Sequence, residues 1–222
     1  YDDCDKSKKH FKLVYHKYLT ENKVNLYFNG TEEINRTKAF DPFYKNNLQT
    51  IKLENSEISF LKGGSTILKP YIIPIDTGKE NLGKSKNDLQ GLYFLRNNRV
   101  IDYGGWFDLG EKNADRLWAS NERFNRLRVE VTIPIETSKD WITTDKTKVI
   151  IPGYAVSKIR KSLVQIRKDY LEKIGQIKEN QENEPVNERL KKKNELIRML
   201  RNSVLNDDEL IKIEKSIKGS NE

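Results

Sequence analysis

Apolar residues in the first segment recur with the period of a helix: Phe11, Val14, Tyr15, Tyr18 and Leu19 stand three or four positions apart within residues 6–19. The polar segment 20–22 ends that pattern, and VNLYF at 24–28 predicts a strand. Asn29-Gly30 then signals a tight turn, because both residues tolerate positive φ, with a short return through 31–34. Asp41-Pro42-Phe43 marks a rigid loop. Two strands are expected at 50–53 and 57–61 around a turn at 54–56. In the second, Ile58 and Phe60 share one face and Glu57 and Ser59 the other, as in a half-buried sheet. The extended run 67–75 contains Pro70 and Pro74, which predict an edge or a bulged strand.

Residues 76–88 hold almost no apolar mass and predict a surface loop. A second hairpin follows, with strands at 92–95 and 99–101 around Asn97-Asn98. Residues 111–126 are compatible with a helix whose apolar face is Leu117, Trp118 and Phe124. In the next strand Leu127, Val129, Val131 and Ile133 alternate with Arg128, Glu130 and Thr132, which predicts one buried and one wet face. Hairpins interleaved with helices predict an α+β domain with a mixed sheet and packed helices over residues 1–154.

Beyond Pro152 the period changes. Val156, Ile159, Leu163, Ile166, Tyr170, Ile174 and Ile177 form one stripe, on a helix of about 35 Å at the usual rise per residue. A second helix is expected near 185–203 and a third at 206–217, opened by the capping pair Asn206 and Glu209. Residues 155–222 therefore read as a helical C-terminal extension, a helical hairpin plus a short third helix.

Composition narrows the function classes. With 222 residues, 33% charged and 36% hydrophobic, the chain has material for one good core and a surplus of solvated surface. The net charge of +8 permits contact with nucleic acid or phosphate, and a lysine-rich solubilising surface accounts for it equally well. Residues 155–222 carry 16 basic and 12 acidic residues, so basicity is not concentrated in the tail. One cysteine, Cys4, excludes an intrachain disulfide, and with only two histidines a conventional zinc centre is not expected. Apolar runs are too short to span a bilayer, and the first ten residues lack the apolar core of a signal peptide; a cytoplasmic location is expected.

Six short segments, LVYHKYL (13–19), VNLYFNG (24–30), DPF (41–43), QGLYFLRNNRVI (90–101), GGW (104–106) and RLRVEV (126–131), together resemble the second domain of ATPases related to DNA gyrase B, MutL, the heat-shock chaperones and MORC proteins. In character the chain is most similar to the bacterial MORC-like group of this GHKL superfamily, over about residues 9–152. The resemblance implies a transducer domain with a fold like ribosomal protein S5 domain 2. It also implies a partner: an N-terminal nucleotide-binding domain of the same protein, which supplies the catalytic glutamate, the magnesium-binding asparagine and the glycine-rich lid. None of those motifs is present here. ATP and magnesium are thus expected in the full-length protein and not in this piece, with a homodimer and DNA as further possible partners.

Family transducers place a lysine on a loop that reaches the γ-phosphate. The matching segment is TTDKTK at 143–148, so Lys146 and Lys148 are both candidates, with Lys148 favoured for its position beside the VIIP strand signal. An ammonium on a flexible stem suits a terminal phosphate once closure excludes water; the plainer alternative is a solvated lysine pair. Arg96 and Arg99 are candidate phosphate or nucleic-acid contacts, weighed against a structural role beside the Asn-Asn turn. Asp102 and Asp108 lack the paired partner that acid-base chemistry needs, and His16 reads as a packing or surface residue. Trp106 and Trp118 read as core anchors. Gly63-Gly64 and Gly104-Gly105 are turn signals without a strand-loop-helix phosphate cradle, so the chain is not expected to be an enzyme by itself. The expected function is relay of nucleotide state to the C-terminal helices in an ATP-dependent clamp or switch, with DNA transactions or defence as its setting. The alternative is a non-enzymatic module that binds nucleic acid or protein.

Overall fold

The structure is a computed structural model that describes residues 2–28, 30, 36–61, 64–75, 77, 84–107, 109, 121–182 and 195. It divides into two compact units, Tyr1–Leu171 and Glu172–Glu222. The expected return strand at 31–34, most of the helix at 111–126, Trp118, Asp108, the tail helix at 185–203 except for residue 195, and the tail helix at 206–217 lie outside the described residues.

The first unit is an α+β layer built on a mixed sheet. Helices α1 (Asp2–Val14) and α2 (His16–Thr20) divide the predicted N-terminal helix at Tyr15, whose ψ of 20° interrupts the ladder. The strands are β1 (Ile51–Lys52), β2 (Ser56–Ser59), β3 (Ser65–Ile72), β4 (Gly91–Arg96), β5 (Arg99–Tyr103) and β6 (Leu127–Thr132), in the order β1-β3-β6-β4-β5 with β2 also on β3. Helix α3 (Lys86–Leu89) precedes β4, and α4 (Ser138–Trp141) follows β6. Only the β4–β6 pairing is parallel among these ladders.

Strand β3 corrects the expectation of an edge or bulge, because it pairs with β1 and β2 on one side and β6 on the other. Pro70 is accommodated for a geometric reason. Its carbonyl accepts Leu53 N at 3.0 Å, so its missing N–H also points to that side, where β1 has ended and β2 not yet begun. The β6 ladder loses nothing. The run 24–28 forms no strand; Tyr27 makes a single bridge to Arg36.

The Gly-Gly-Trp corner is explained by close backbone approach. Gly91 has φ 101°, and a Cβ there would lie 2.0 Å from the Gly105 carbonyl oxygen, which accepts Leu92 N at 3.0 Å. At the opposite end of the β4–β5 hairpin, Asn97 (φ 48°) and Asn98 (φ 63°) form the expected left-handed two-residue turn.

The two faces of the sheet are covered differently. On one, Leu127, Val129 and Val131 are buried with Leu68, Ile72, Leu92 and Phe94. Helix α5 (Gly153–Glu182) buries Ala155, Ile159, Leu163, Ile166 and Tyr170 in the first unit, and its polar flank is tied down by Lys158 to the Ser59 carbonyl and Arg160 to the Leu109 carbonyl. On the other face an aromatic core gathers Leu13, Phe40, Phe43, Tyr71, Tyr93 and Leu95 under α1 and the segment 36–44. That second face is not wet as the alternation predicts: Arg128 is 2% and Glu130 1% exposed. Among the described residues no helix is long and apolar enough to cross a membrane.

Candidate functional site

The segment 143–148 folds as a stapled loop between α4 and α5. Ile142 and Val149 form an antiparallel bridge at its base, Thr143 N donates to the Lys148 carbonyl at 3.1 Å, and Lys146 N donates to the Thr143 carbonyl at 2.8 Å. Its centre is organised by Asp145. The carboxylate accepts Thr143 Oγ1 at 2.5 Å, Thr147 Oγ1 at 2.7 Å and Thr147 N at 3.2 Å. These hydrogen bonds, that from Thr143 foremost, hold the Asp145 carboxyl at a pKa of about 2, well below its usual range. The sequence explains the shape: threonine and aspartate offer the local side-chain hydrogen bonds that compete with regular structure. Lys146 takes the left-handed conformation, φ 58°, that closes the turn.

Both lysines of the loop are exposed, and neither is in an ion pair among the described residues. The loop that carries them is nevertheless firmly attached. Val149 N donates to Asp102 Oδ2 of β5 at 3.1 Å, and Ile150 N donates to the Trp141 carbonyl at 2.9 Å. Two residues later the Pro152 carbonyl accepts Ala155 N and Val156 N and opens α5. Asp102 therefore anchors the loop to β5; its other oxygen accepts Tyr103 N at 2.9 Å.

The arginine pair lies elsewhere, at the β4–β5 turn, and no hydrogen bond or ion pair joins it to the lysine loop among the described residues. The Arg99 guanidinium stacks 5.4 Å over Tyr15, while Arg96 is half-buried. The turn between them is docked on α2: Tyr18 Oη donates to the Asn97 carbonyl at 2.5 Å and Lys17 reaches Asn98 Oδ1 at 3.5 Å. The stack on Tyr15 gives Arg99 a structural setting. His16 is buried, edge-on to Phe43, with Nδ1 2.8 Å from the Leu13 carbonyl; burial lowers its pKa despite that contact. Trp106 is buried, with Arg167 stacked 5.1 Å over its ring.

The buried charged seam on β6 is what sequence reasoning missed. Glu130 accepts Lys17 at 2.8 Å and Lys45 at 2.6 Å, with Lys69 at 3.8 Å. Two residues earlier the Arg128 guanidinium donates to the carbonyls of Asn125, Leu127 and Lys86. The only signal was the pair of opposite charges two apart in RLRVEV, which identifies a shared face and not what covers it. Among the described residues no group of three or more histidine, cysteine or acidic side chains is placed to hold a metal ion. Comparison with protein-family models, with curated proteins and with solved structures gives no match.

Proposed function

We propose that this chain is the transducer part of a GHKL-type ATP-dependent clamp or switch, of the fold seen in ribosomal protein S5 domain 2, acting with a nucleotide-binding domain of the same protein. The observation that carries the reading is the attachment of the 143–148 loop. Two exposed ammonium groups sit on a turn fixed by Asp145, hydrogen-bonded to β5 through Asp102, and separated from the start of α5 by only residues 149–152. A charge that engages Lys148 or Lys146 therefore acts on a loop that cannot move without disturbing either the sheet edge or the helix start.

The chemistry asked of the lysine is modest. Nucleotide and magnesium would be held by the neighbouring domain; this chain contributes an exposed cation that is in no ion pair among the described residues, whose attraction to a terminal phosphate strengthens as closure removes water. The response is then a discrete repositioning of loop and helix together, as transmission between sites requires.

The test is ATP hydrolysis by the full-length protein carrying Lys148→Ala or Lys146→Ala. One of the two should lower kcat by about 10-fold or more with nucleotide affinity little changed, the signature of an interaction made in the transition state. Wild-type turnover in both variants, or a full-length protein without a nucleotide-binding domain, overturns the reading.

A further inference from the structure

His16 stands where the N-terminal helix breaks. Tyr15 separates α1 from α2 and makes no side-chain capping hydrogen bond; the first residue of α2 folds its ring back instead, with Nδ1 2.8 Å from the Leu13 carbonyl. A carbonyl only accepts, so Nδ1 carries the proton and the neutral ring leaves Nε2 bare. Nε2 is buried with no hydrogen-bond partner among the described residues, and the ring lies edge-on to Phe43 at 6.0 Å. We propose that His16 is a proton-operated latch: in mildly acidic conditions a second proton on the ring, at Nε2, releases α2 from the segment 41–45 and from the β4–β5 turn. The latch concerns this face of the sheet and does not depend on the transducer reading.

A bare ring nitrogen costs less to bury than an N–H donor with a full charge behind it, and the surroundings offer that charge little compensation. Asp41 attracts it, but the two carboxylate oxygens of Asp41 already accept Phe43 N at 3.0 Å and Lys45 N at 2.7 Å. Lys17 on α2 and Lys45 on the segment opposite repel it, and both are drawn to this face by Glu130 of β6, at 2.8 Å and 2.6 Å. From α1 comes the Leu13 carbonyl, which Nδ1 uses, and Arg99 of β5 is stacked on Tyr15. Burial prevails over the Leu13 and Asp41 contributions, and the pKa of His16 lies below its ordinary 6.5. A folded-state pKa below the unfolded one means that protonation favours the open form. The contribution of the neutral ring is complete above about pH 6.5 and is lost as pH falls through the lower folded value.

What the latch holds follows from the other contacts of α2. Tyr18 Oη donates to the Asn97 carbonyl, and Lys17 reaches both Asn98 and Glu130. These are exposed or partly buried side-chain contacts, whereas the ladders β3–β6 and β4–β6 run through the sheet without α2. The helix can therefore open locally while the sheet stays paired. Opening separates three parts that α2 joins: the segment 41–45, the Asn97-Asn98 turn and the Glu130 carboxylate.

The experiment uses the whole chain. Ring-proton NMR from about pH 7.5 to about pH 5 follows both histidines, with His10→Gln assigning the exposed one, and His16 should titrate below its ordinary 6.5. Amide hydrogen exchange, corrected for its intrinsic pH dependence, is then compared at about pH 7 and about pH 5.5, above the range in which Glu130 titrates. Protection at 16–20 and 43–45 should fall about 5- to 10-fold, the most that one proton achieves over that span, while β3, β4 and β6 keep theirs. His16→Asn does not titrate, retains an amide that can donate to the Leu13 carbonyl, and should abolish the fall. His10→Gln should keep it, although burial and the charges of Arg99 and Lys84 lower the His10 pKa as well. If His16→Asn does not fold, wild type and His10→Gln decide the matter. A His16 midpoint at or above the ordinary value, unchanged protection of α2, or a loss shared equally by the sheet overturns the proposal. So does a fall that persists in His16→Asn or disappears in His10→Gln.

Discussion

Lys45 Nζ donates to Glu130 Oε2 at 2.6 Å across 85 positions of sequence, and thereby pins the segment after Asp41 to the centre of the sheet. Lys17 does the same from α2 through the other carboxylate oxygen at 2.8 Å. Burial by itself would raise the Glu130 pKa; the Lys45 charge and the hydrogen bonds from Lys17 and Lys45 overcome it and pull it down to about 2 from an ordinary 4.5. A folded-state pKa below the unfolded one means that protonation favours unfolding. The contribution is complete above about pH 4.5, is lost as pH falls towards 2, and amounts to about 3 kcal/mol. Urea unfolding followed from pH 6 to pH 2 should show that loss, and Glu130→Gln should remove most of it while costing about 2–3 kcal/mol at neutral pH. A pH profile in this range that Glu130→Gln leaves unaltered would remove Glu130 as its source.

The lysine loop has its own acid-labile staple. Asp145 is fully exposed, so its depressed pKa concerns local order and not global stability. The staple is present above the ordinary carboxylate pKa and opens as pH falls through about 2. The Thr147 amide, which donates to Asp145, should therefore titrate with a midpoint near that value, and Asp145→Ala should speed its hydrogen exchange at neutral pH. Unchanged exchange at Thr147 in that variant counts against the staple.

Two glycines of the same corner separate strain from collision. Both Gly91 and Gly105 have positive φ, at 101° and 78°, but a Cβ on Gly91 meets the Gly105 carbonyl at 2.0 Å while one on Gly105 meets nothing within 4 Å. Gly105→Ala should cost about 1–2 kcal/mol, the penalty of the left-handed conformation alone. Gly91→Ala must also displace backbone and should cost about 4 kcal/mol or more, or prevent folding. Thermal unfolding of the two variants side by side checks the order; equal losses would contradict the close approach.

What was legible in the sequence follows from the range of the forces involved. The Asn97-Asn98 turn, the buried side of β6 and the stripe Ile159, Leu163, Ile166 and Tyr170 depend on residues that lie close along the chain, and each appears where its pattern places it. The charged side of β6 does not, because its burial depends on Lys17 and Lys45, which lie 113 and 85 residues away. Alternation detects two faces and assigns the polar one to water by default; here α2 and the segment 36–45 bring lysines to Glu130 and help to cover it. Pro70 misleads for a similar reason, since its cost depends on which neighbour its backbone faces, and that neighbour is a gap between β1 and β2. Lys146 and Lys148 stand out in the sequence as a pair, but the Asp102 contact that anchors their loop to β5 is a long-range one that no local pattern carries.

Asp102 offers the sharpest separation between holding the loop and acting from it. Its Oδ2 accepts the Val149 amide at 3.1 Å while its Oδ1 accepts the Tyr103 amide at 2.9 Å, so Asp102→Asn keeps one acceptor and replaces the other with a donor facing Val149 N. The half-buried position makes the loss about 1–2 kcal/mol in urea unfolding, and the Val149 amide should exchange faster with solvent. Lys148→Ala, by contrast, removes a charge from an exposed side chain and should leave both unfolding and Val149 exchange at wild-type values. If the loop transmits nucleotide state, both variants lower ATP turnover in the full-length protein, one by loosening the lever and the other by removing its contact. Slow Val149 exchange in Asp102→Asn, indistinguishable from wild type, would mean that the bridge at Ile142 and the Trp141 carbonyl suffice to hold the loop, and that the connection to β5 plays no part in holding it.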